Sequence, residues 1–198
     1  LQLAIFYDDR NDQQVKSSLV RSRPDGSTEF IDFIGNAAEG TNRGVEVDVN
    51  WAVSDNLTVN ANAGWLDAEF DQFINEFGED LSGRDQAHAP SYTYSLNLSY
   101  DRGPWFVSVS ADGKDDFFFA DRHSVKSKQY TLYNASLGFE SEQWKVTLWG
   151  RNLTDKDYYV RGFGSFGNDP RKFYVTEPYF QFGEPRITGV TLQLTLGG

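Results

Sequence analysis

Apolar and polar residues alternate with a period of two from one end of this chain to the other, and that pattern limits it to β-structure. Leu1, Leu3, Ile5 and Tyr7 share one face of a first strand, with Gln2, Ala4, Phe6 and Asp8 on the other. Val45, Val47, Val49 and Trp51 alternate with Glu46, Asp48 and Asn50, and Leu57 to Trp65 repeats the pattern. The cleanest case sets Tyr92, Tyr94, Leu96, Leu98 and Tyr100 against Ser91, Thr93, Ser95, Asn97 and Ser99. Further strands follow over 105–111, 131–139, 144–148 and 190–196. A less regular strand around residues 12–20, or a long lead-in before Val45, completes a set of about eight.

The connections are of two kinds. Short turns rich in Asp, Asn, Gly, Ser and Pro fall at 52–56, 101–104 and 141–143. Long segments lie between them, at 71–90, 113–129 and 161–183, well beyond ordinary hairpin loops. One end of the strand set is therefore tight and the other elaborate.

Alternation alone does not distinguish a soluble sandwich, apolar inside, from a membrane barrel, apolar outside. Loop asymmetry and ring placement decide between them. Short turns at one end and long loops at the other are the habit of outer-membrane barrels. Aromatic residues make up 16% of a chain that is only 39% hydrophobic, so rings carry an unusual share of its apolar surface. Trp51, Tyr100, Trp105 and Trp144 cluster beside the short turns, where amphipathic rings form a girdle at the headgroup level. Glu46, Asp48, Asn60, Asn97, Ser110 and Asp112 line the opposite face and suit a hydrated or plugged lumen. The expected fold is all-β, an antiparallel up-and-down transmembrane β-barrel.

Several functions are disfavoured. Acidic residues outnumber basic ones 29 to 18, a formal charge of −11, so nucleic acid is not an expected partner. Cysteine is absent, which removes disulfide scaffolds, thiol nucleophiles and Cys-ligated metals. Methionine is absent even at position 1, so the chain is expected to be an internal piece of a longer precursor. Residues 162–167 match G-x-G-x-x-G, but no helix follows to offer its N-terminus to a phosphate. Four sequons, at Asn56, Asn97, Asn134 and Asn152, are read as chance, three of them falling in strands. His88 and His123 lack ligand spacing, paired acids such as Asp115 and Asp116 read as solvated loop residues, and no nucleophile elbow occurs. No catalytic residue, cofactor or metal is expected, and the chain is not read as an enzyme.

The chain resembles the C-terminal part of the barrel of TonB-dependent outer-membrane receptors over nearly its whole length. Asn42-Arg43-Gly44-Val45-Glu46-Val47-Asp48 is similar to that family's Gly-x-Glu-x-Glu strand, and Asn152-Leu153-Thr154-Asp155-Lys156-Asp157-Tyr158 to its N-L-x-D-K-x-Y segment. Gly183-Glu184-Pro185-Arg186 precedes a final strand, and Thr188 to Leu194 resembles the signal read by the barrel-assembly machinery. The resemblance implies a barrel of 22 strands closed by an N-terminal plug. Residues 1–198 would supply its last eight strands and no plug. An open piece leaves two unpaired edges in lipid at several kcal/mol per unsatisfied backbone group, so the remaining strands must come from a missing N-terminal segment or a companion chain.

The expected partners are outer-membrane lipid, those strands and plug, TonB through the plug, and a small-molecule cargo. The expected function is energy-coupled uptake of a scarce nutrient such as a ferric siderophore, in the outer membrane of a Gram-negative bacterium. The late loops mix rings with cations, and Tyr159, Arg161, Phe163 and Phe166 are the expected cargo contacts. Two other readings stay open at this point: a secreted carbohydrate-binding sandwich and a passive barrel without energy coupling.

Overall fold

Strand-forming alternation becomes hydrogen-bonded ladder along most of the chain. The computed structural model describes residues 1–75, 78–121, 124–164, 170–172 and 178–195. Its strands are β1 (Gln2–Ser22), β2 (Thr28–Ala52), β3 (Leu57–Phe73), β4 (Tyr92–Arg102), β5 (Trp105–Lys114), β6 (Phe117–Phe118), β7 (Lys126–Ser127), β8 (Tyr130–Glu140), β9 (Trp144–Arg151), β10 (Tyr159–Gly164), β11 (Pro178–Phe182) and β12 (Ile187–Leu194). Eight of them form one sheet in the order β1-β2-β3-β4-β5-β8-β9-β12, antiparallel at every pairing. The pairs β6-β7 and β10-β11 are separate small hairpins. Within this sheet each strand pairs with the next of its members along the chain, as in an up-and-down barrel, and the sheet is open, with β1 and β12 at its edges.

Residues 12–20 are not a strand of their own. They continue β1 and pair with the lead-in to Val45, which is the upper half of β2. Register shifts between Arg10 and Gln14, with Asp12 at a φ of 56°, explain the broken alternation there: a bulge flips the phase of the pleat without ending the strand. The last strand begins at Ile187, three residues earlier than its alternation suggested, and residues 196–198 lie outside the described set.

Rung by rung the apolar face is continuous. Val49 pairs with Ala61, Ala61 with Leu96, Leu96 with Ala111 and Ala111 with Tyr133. In β4 and β5 this face is the exposed one: Leu96, Leu98, Val107 and Val109 are exposed, while Asn97, Ser99, Ser108 and Ser110 are half-buried. The outer loops fold over the polar face, placing loop residues against Phe70, Lys114 and Tyr130, which share its parity. Among the described residues no second sheet covers the apolar side, which the sandwich reading requires.

Trp51 (58% exposed) and Trp105 stand at the tight end, and Trp65 (54% exposed) and Tyr7 at the other, so rings bracket the band. Above Trp65 the polarity of β3 inverts. The outward row continues as Asp67, Glu69 and Asp71, and the inward row as Leu66, Ala68 and Phe70. Phe70, Phe73 and Ala38 form a small core, with Val15 and Leu81 against it. This inversion hid residues 66–73 from a reading based on one continuous apolar row.

Candidate functional site

Two surfaces meet at the elaborate end of the sheet: the upper inward wall and the layer of loops above it. The wall is built from small polar side chains. Asp112 on β5 accepts hydrogen bonds from Ser95 Oγ (2.5 Å), Ser110 Oγ (3.3 Å) and Asn134 Nδ2 (3.1 Å). Asn134 also donates to Ser110 Oγ (3.0 Å) and accepts from the Asn152 backbone N–H (3.0 Å). A depression of about 460 Å³ opens on this face, its lining including Ser108, Ser110, Asn134, Ser136, Trp149 and Thr191. Trp149 lies over Gly189 on the neighbouring strand and donates from Nε1 to Thr191 Oγ1 at 3.0 Å. A Cβ at position 189 would lie 2.5 Å from the Trp149 indole, so a side chain there would displace the ring.

Asn152 ends β9 and redirects the chain into the outer loops. It is 3% exposed, holds a φ of 47°, donates from Nδ2 to the Lys156 (2.9 Å) and Glu184 (3.0 Å) carbonyls and accepts from the Lys156 N–H (2.8 Å). Asparagine tolerates this left-handed geometry better than most residues, and its amide satisfies groups that the ended strand leaves open. Asp155 and Arg186 complete the clasp through a 2.9 Å backbone hydrogen bond and a 3.7 Å ion pair. Of the four sequons, Asn97 and Asn134 lie in strands, Asn152 follows one and Asn56 sits in a turn, so two rather than three are in strands.

The loop layer is held by rings and cations. Phe119, 2% exposed, meets Phe117 and Phe180 at centroid distances of 5.3 Å each and Tyr159 at 6.3 Å, and seats against the backbone of Gly162. Phe118 points the other way, between the Arg84 guanidinium (3.9 Å) and the Lys126 ammonium (4.4 Å). Arg84 Nη2 donates to the Ala120 carbonyl (2.8 Å), and the His88 N–H donates to the Phe118 carbonyl (2.8 Å). Burial lowers the pKa of Arg84 from its ordinary value. Lys126 pairs with Asp116 (2.9 Å) and Asp85 (3.6 Å), and the hydrogen bond it donates to Asp116 leads the causes that raise its pKa. The β3–β4 and β5–β8 loops are thereby locked to one another, and β10-β11 is joined to them through Phe119.

Three of the four residues expected to touch cargo lie on β10. Tyr159 is half-buried and stacks on Phe180 at 4.6 Å with an interplanar angle of 28°. Arg161 is exposed. Phe163 pairs through its backbone with Tyr179, its side chain lying outside what the structure describes, and Phe166 is outside the described residues altogether. The role of Phe117 and Phe119 as the loop core escaped sequence reading. The available signal was alternation within the run Phe117-Phe118-Phe119, whose first and third rings turn inward. Among the described residues no cluster of three or more His, Asp or Glu is placed to hold a metal.

A family model for the TonB-dependent receptor-like β-barrel matches residues 1–153. The chain belongs to that family. Its members are transport receptors rather than enzymes. The ferric-pyoverdine M114 receptor PbuA of a Pseudomonas strain is 36% identical over 58 residues, 27% of this chain and 7% of that protein. The ferric yersiniabactin uptake receptor FyuA of Yersinia pestis superposes with a TM-score of 0.72 at 16% identity, over 97% of this chain and 27% of FyuA. The siderophore receptor PiuA of Acinetobacter baumannii does so with a TM-score of 0.70 at 18% identity, over 96% of this chain and 25% of PiuA. This TonB-dependent receptor barrel segment thus spans about a quarter of the length of the solved receptors it matches, and shares with them the fold of that quarter.

Proposed function

We propose that this chain is the C-terminal portion of an energy-coupled outer-membrane receptor that takes up a ferric siderophore, in a Gram-negative bacterium. The observation that carries the reading is the inverted sheet: apolar side chains face outward between two rows of rings, while hydroxyls and amides face inward beneath a packed loop layer. Such a surface suits a strand wall between lipid and a plugged, hydrated interior. Membership of the TonB-dependent receptor family supports coupling through TonB, and likeness to the ferric-pyoverdine receptor PbuA, the ferric yersiniabactin receptor FyuA and the siderophore receptor PiuA supports an iron chelate as cargo. In that reading the complete barrel has 22 strands, of which this chain supplies eight, and the other strands and the plug come from an N-terminal segment or a companion chain. Tyr159, Arg161, Phe163 and Phe166 are the proposed cargo contacts on the outer loops.

The test is uptake of 55Fe-labelled ferric chelates by iron-starved cells carrying the full-length receptor, with and without TonB. TonB-dependent accumulation of a chelate supports the proposal, and accumulation indifferent to TonB defeats it. Replacing the four loop residues together with alanine is expected to lower uptake at least tenfold with unchanged receptor in the outer membrane. Unchanged uptake removes them as contacts.

A further inference from the structure

The turns at the tight end of the sheet are bonded to one another: the Asp101 N–H donates to the Asn56 carbonyl, the Glu140 N–H to the Pro104 carbonyl and the Thr195 N–H to the Gln143 carbonyl. Arg102 is carried on this row. It closes β4 opposite Trp105, across the β4–β5 turn, and shares the outward face with it. Trp105 meets Phe139 edge-on at 4.9 Å, and Phe139 stacks on Trp144 at 5.1 Å with an interplanar angle of 26°. Arg102, Trp105 and Trp144 are exposed.

An apolar groove of about 640 Å³ opens above these rings on the same outward face. Its walls include Val107, Leu137, Leu148 and Val190, which form the rung next above Trp105 and Phe139. One rung higher the outward residues are Ala135 and Gly150, too small to fill the space, and Leu153 reaches back over Gly150 to bound it. Phe139 and Ala135 stand four residues apart on β8, about 13 Å along the strand, within the reach of one acyl chain.

Among the described residues no carboxylate lies within ion-pair distance of Arg102, whereas Arg10, Arg21, Arg23, Arg43, Arg151 and Arg186 each have one. The neighbouring acids Asp101 and Glu140 have inward parity, and Glu140 is held by Lys145 at 2.7 Å. Strands that complete the barrel join the sheet only at β1 and β12, so the outward face of the central pair β4 and β5 stays turned to lipid whatever closes it. A guanidinium fork matches phosphate oxygens, and indoles settle at the headgroup level. With no carboxylate beside it to receive a headgroup ammonium, Arg102 favours a net negative headgroup over a zwitterionic one.

We propose that Arg102, Trp105, Phe139 and Trp144, with the groove above them, form a binding site for one anionic glycerophospholipid of the periplasmic leaflet. Its phosphate rests on Arg102, its glycerol against the indoles and one acyl chain in the groove. The inference rests on the receptor reading above, which puts the apolar face in lipid and the short turns on the periplasmic side, and goes beyond it to a lipid class and a leaflet.

The experiment is native mass spectrometry of the purified full-length receptor, stripped of lipid in detergent and offered phosphatidylglycerol or phosphatidylethanolamine of the same chain length. Expected is phosphatidylglycerol retained over phosphatidylethanolamine by about fivefold, a preference that Arg102→Gln abolishes. Ala135→Phe, which fills the groove, is expected to lower retention of both lipids. Both variants are expected at wild-type abundance in the outer membrane. Equal retention of the two lipids by the wild-type receptor, or a preference that survives Arg102→Gln, overturns the site. If 55Fe uptake by the wild-type receptor still depends on TonB, that failure leaves the receptor reading intact, and if uptake is indifferent to TonB, both fall.

Discussion

Asn152 gathers three hydrogen bonds into one buried side chain where β9 gives way to the outer loops. Its amide joins the end of β9, the turn at Lys156 and the approach to β12, in a backbone conformation that most residues avoid. Replacing it with alanine removes three hydrogen bonds and adds left-handed strain, at an expected cost of roughly 2–4 kcal/mol. Urea unfolding of the full-length receptor in lipid vesicles checks this, and a cost under about 0.5 kcal/mol contradicts the clasp. A second residue-scale test concerns Leu98 and its neighbour Asn97, which point to opposite faces of β4. Leu98→Arg is expected to destabilise the inserted barrel by about 2–4 kcal/mol and deplete it from the outer membrane, whereas Asn97→Arg inserts normally. Equal depletion by both changes contradicts the assigned orientation.

Among the elements, β3 is the most informative because one strand serves two environments. Below Trp65 its apolar row looks outward, and above it Ala68, Phe70 and Phe73 look inward to the loop core. Phe70→Ala is expected to cost about 3–5 kcal/mol locally and to speed hydrogen exchange in the segment bonded to it, at Gly83 and Gln86, without altering exchange in β4 or β5. Exchange rising across the whole sheet goes against a separate loop core. The lower strands were legible in the sequence because every second residue there answers to the same solvent. The upper half of β1 was not, because the bulge at Arg10 to Gln14 shifts the phase. Residues 66–73 were not, because the two faces exchange roles. The hairpins β6-β7 and β10-β11 gave no alternation of useful length. Of the loop rings, Tyr159 was legible as a site candidate, but its stacking on Phe180 joins segments some twenty residues apart, which no local pattern encodes.

At the scale of the whole molecule, an open sheet with free edges at β1 and β12 has a definite consequence for assembly. Expressed alone, residues 1–198 are expected to associate through those edges, and to give a monodisperse, heat-modifiable barrel only when joined to the upstream strands. Light scattering in detergent distinguishes the two cases, and a monodisperse closed monomer of this segment alone contradicts the expectation. The inversion at Trp65 also turns the sheet into a gauge. From Leu57 to Trp65 the outward row rises roughly 26 Å along the strand, or about 19 Å along the membrane normal at a tilt near 45°, and the next outward residue on β3, Asp67, is tied at 2.6 Å to Arg43 on β2. A thicker bilayer drags that charged pair below the headgroups, so hydrophobic mismatch alone should sort this receptor toward thin membranes.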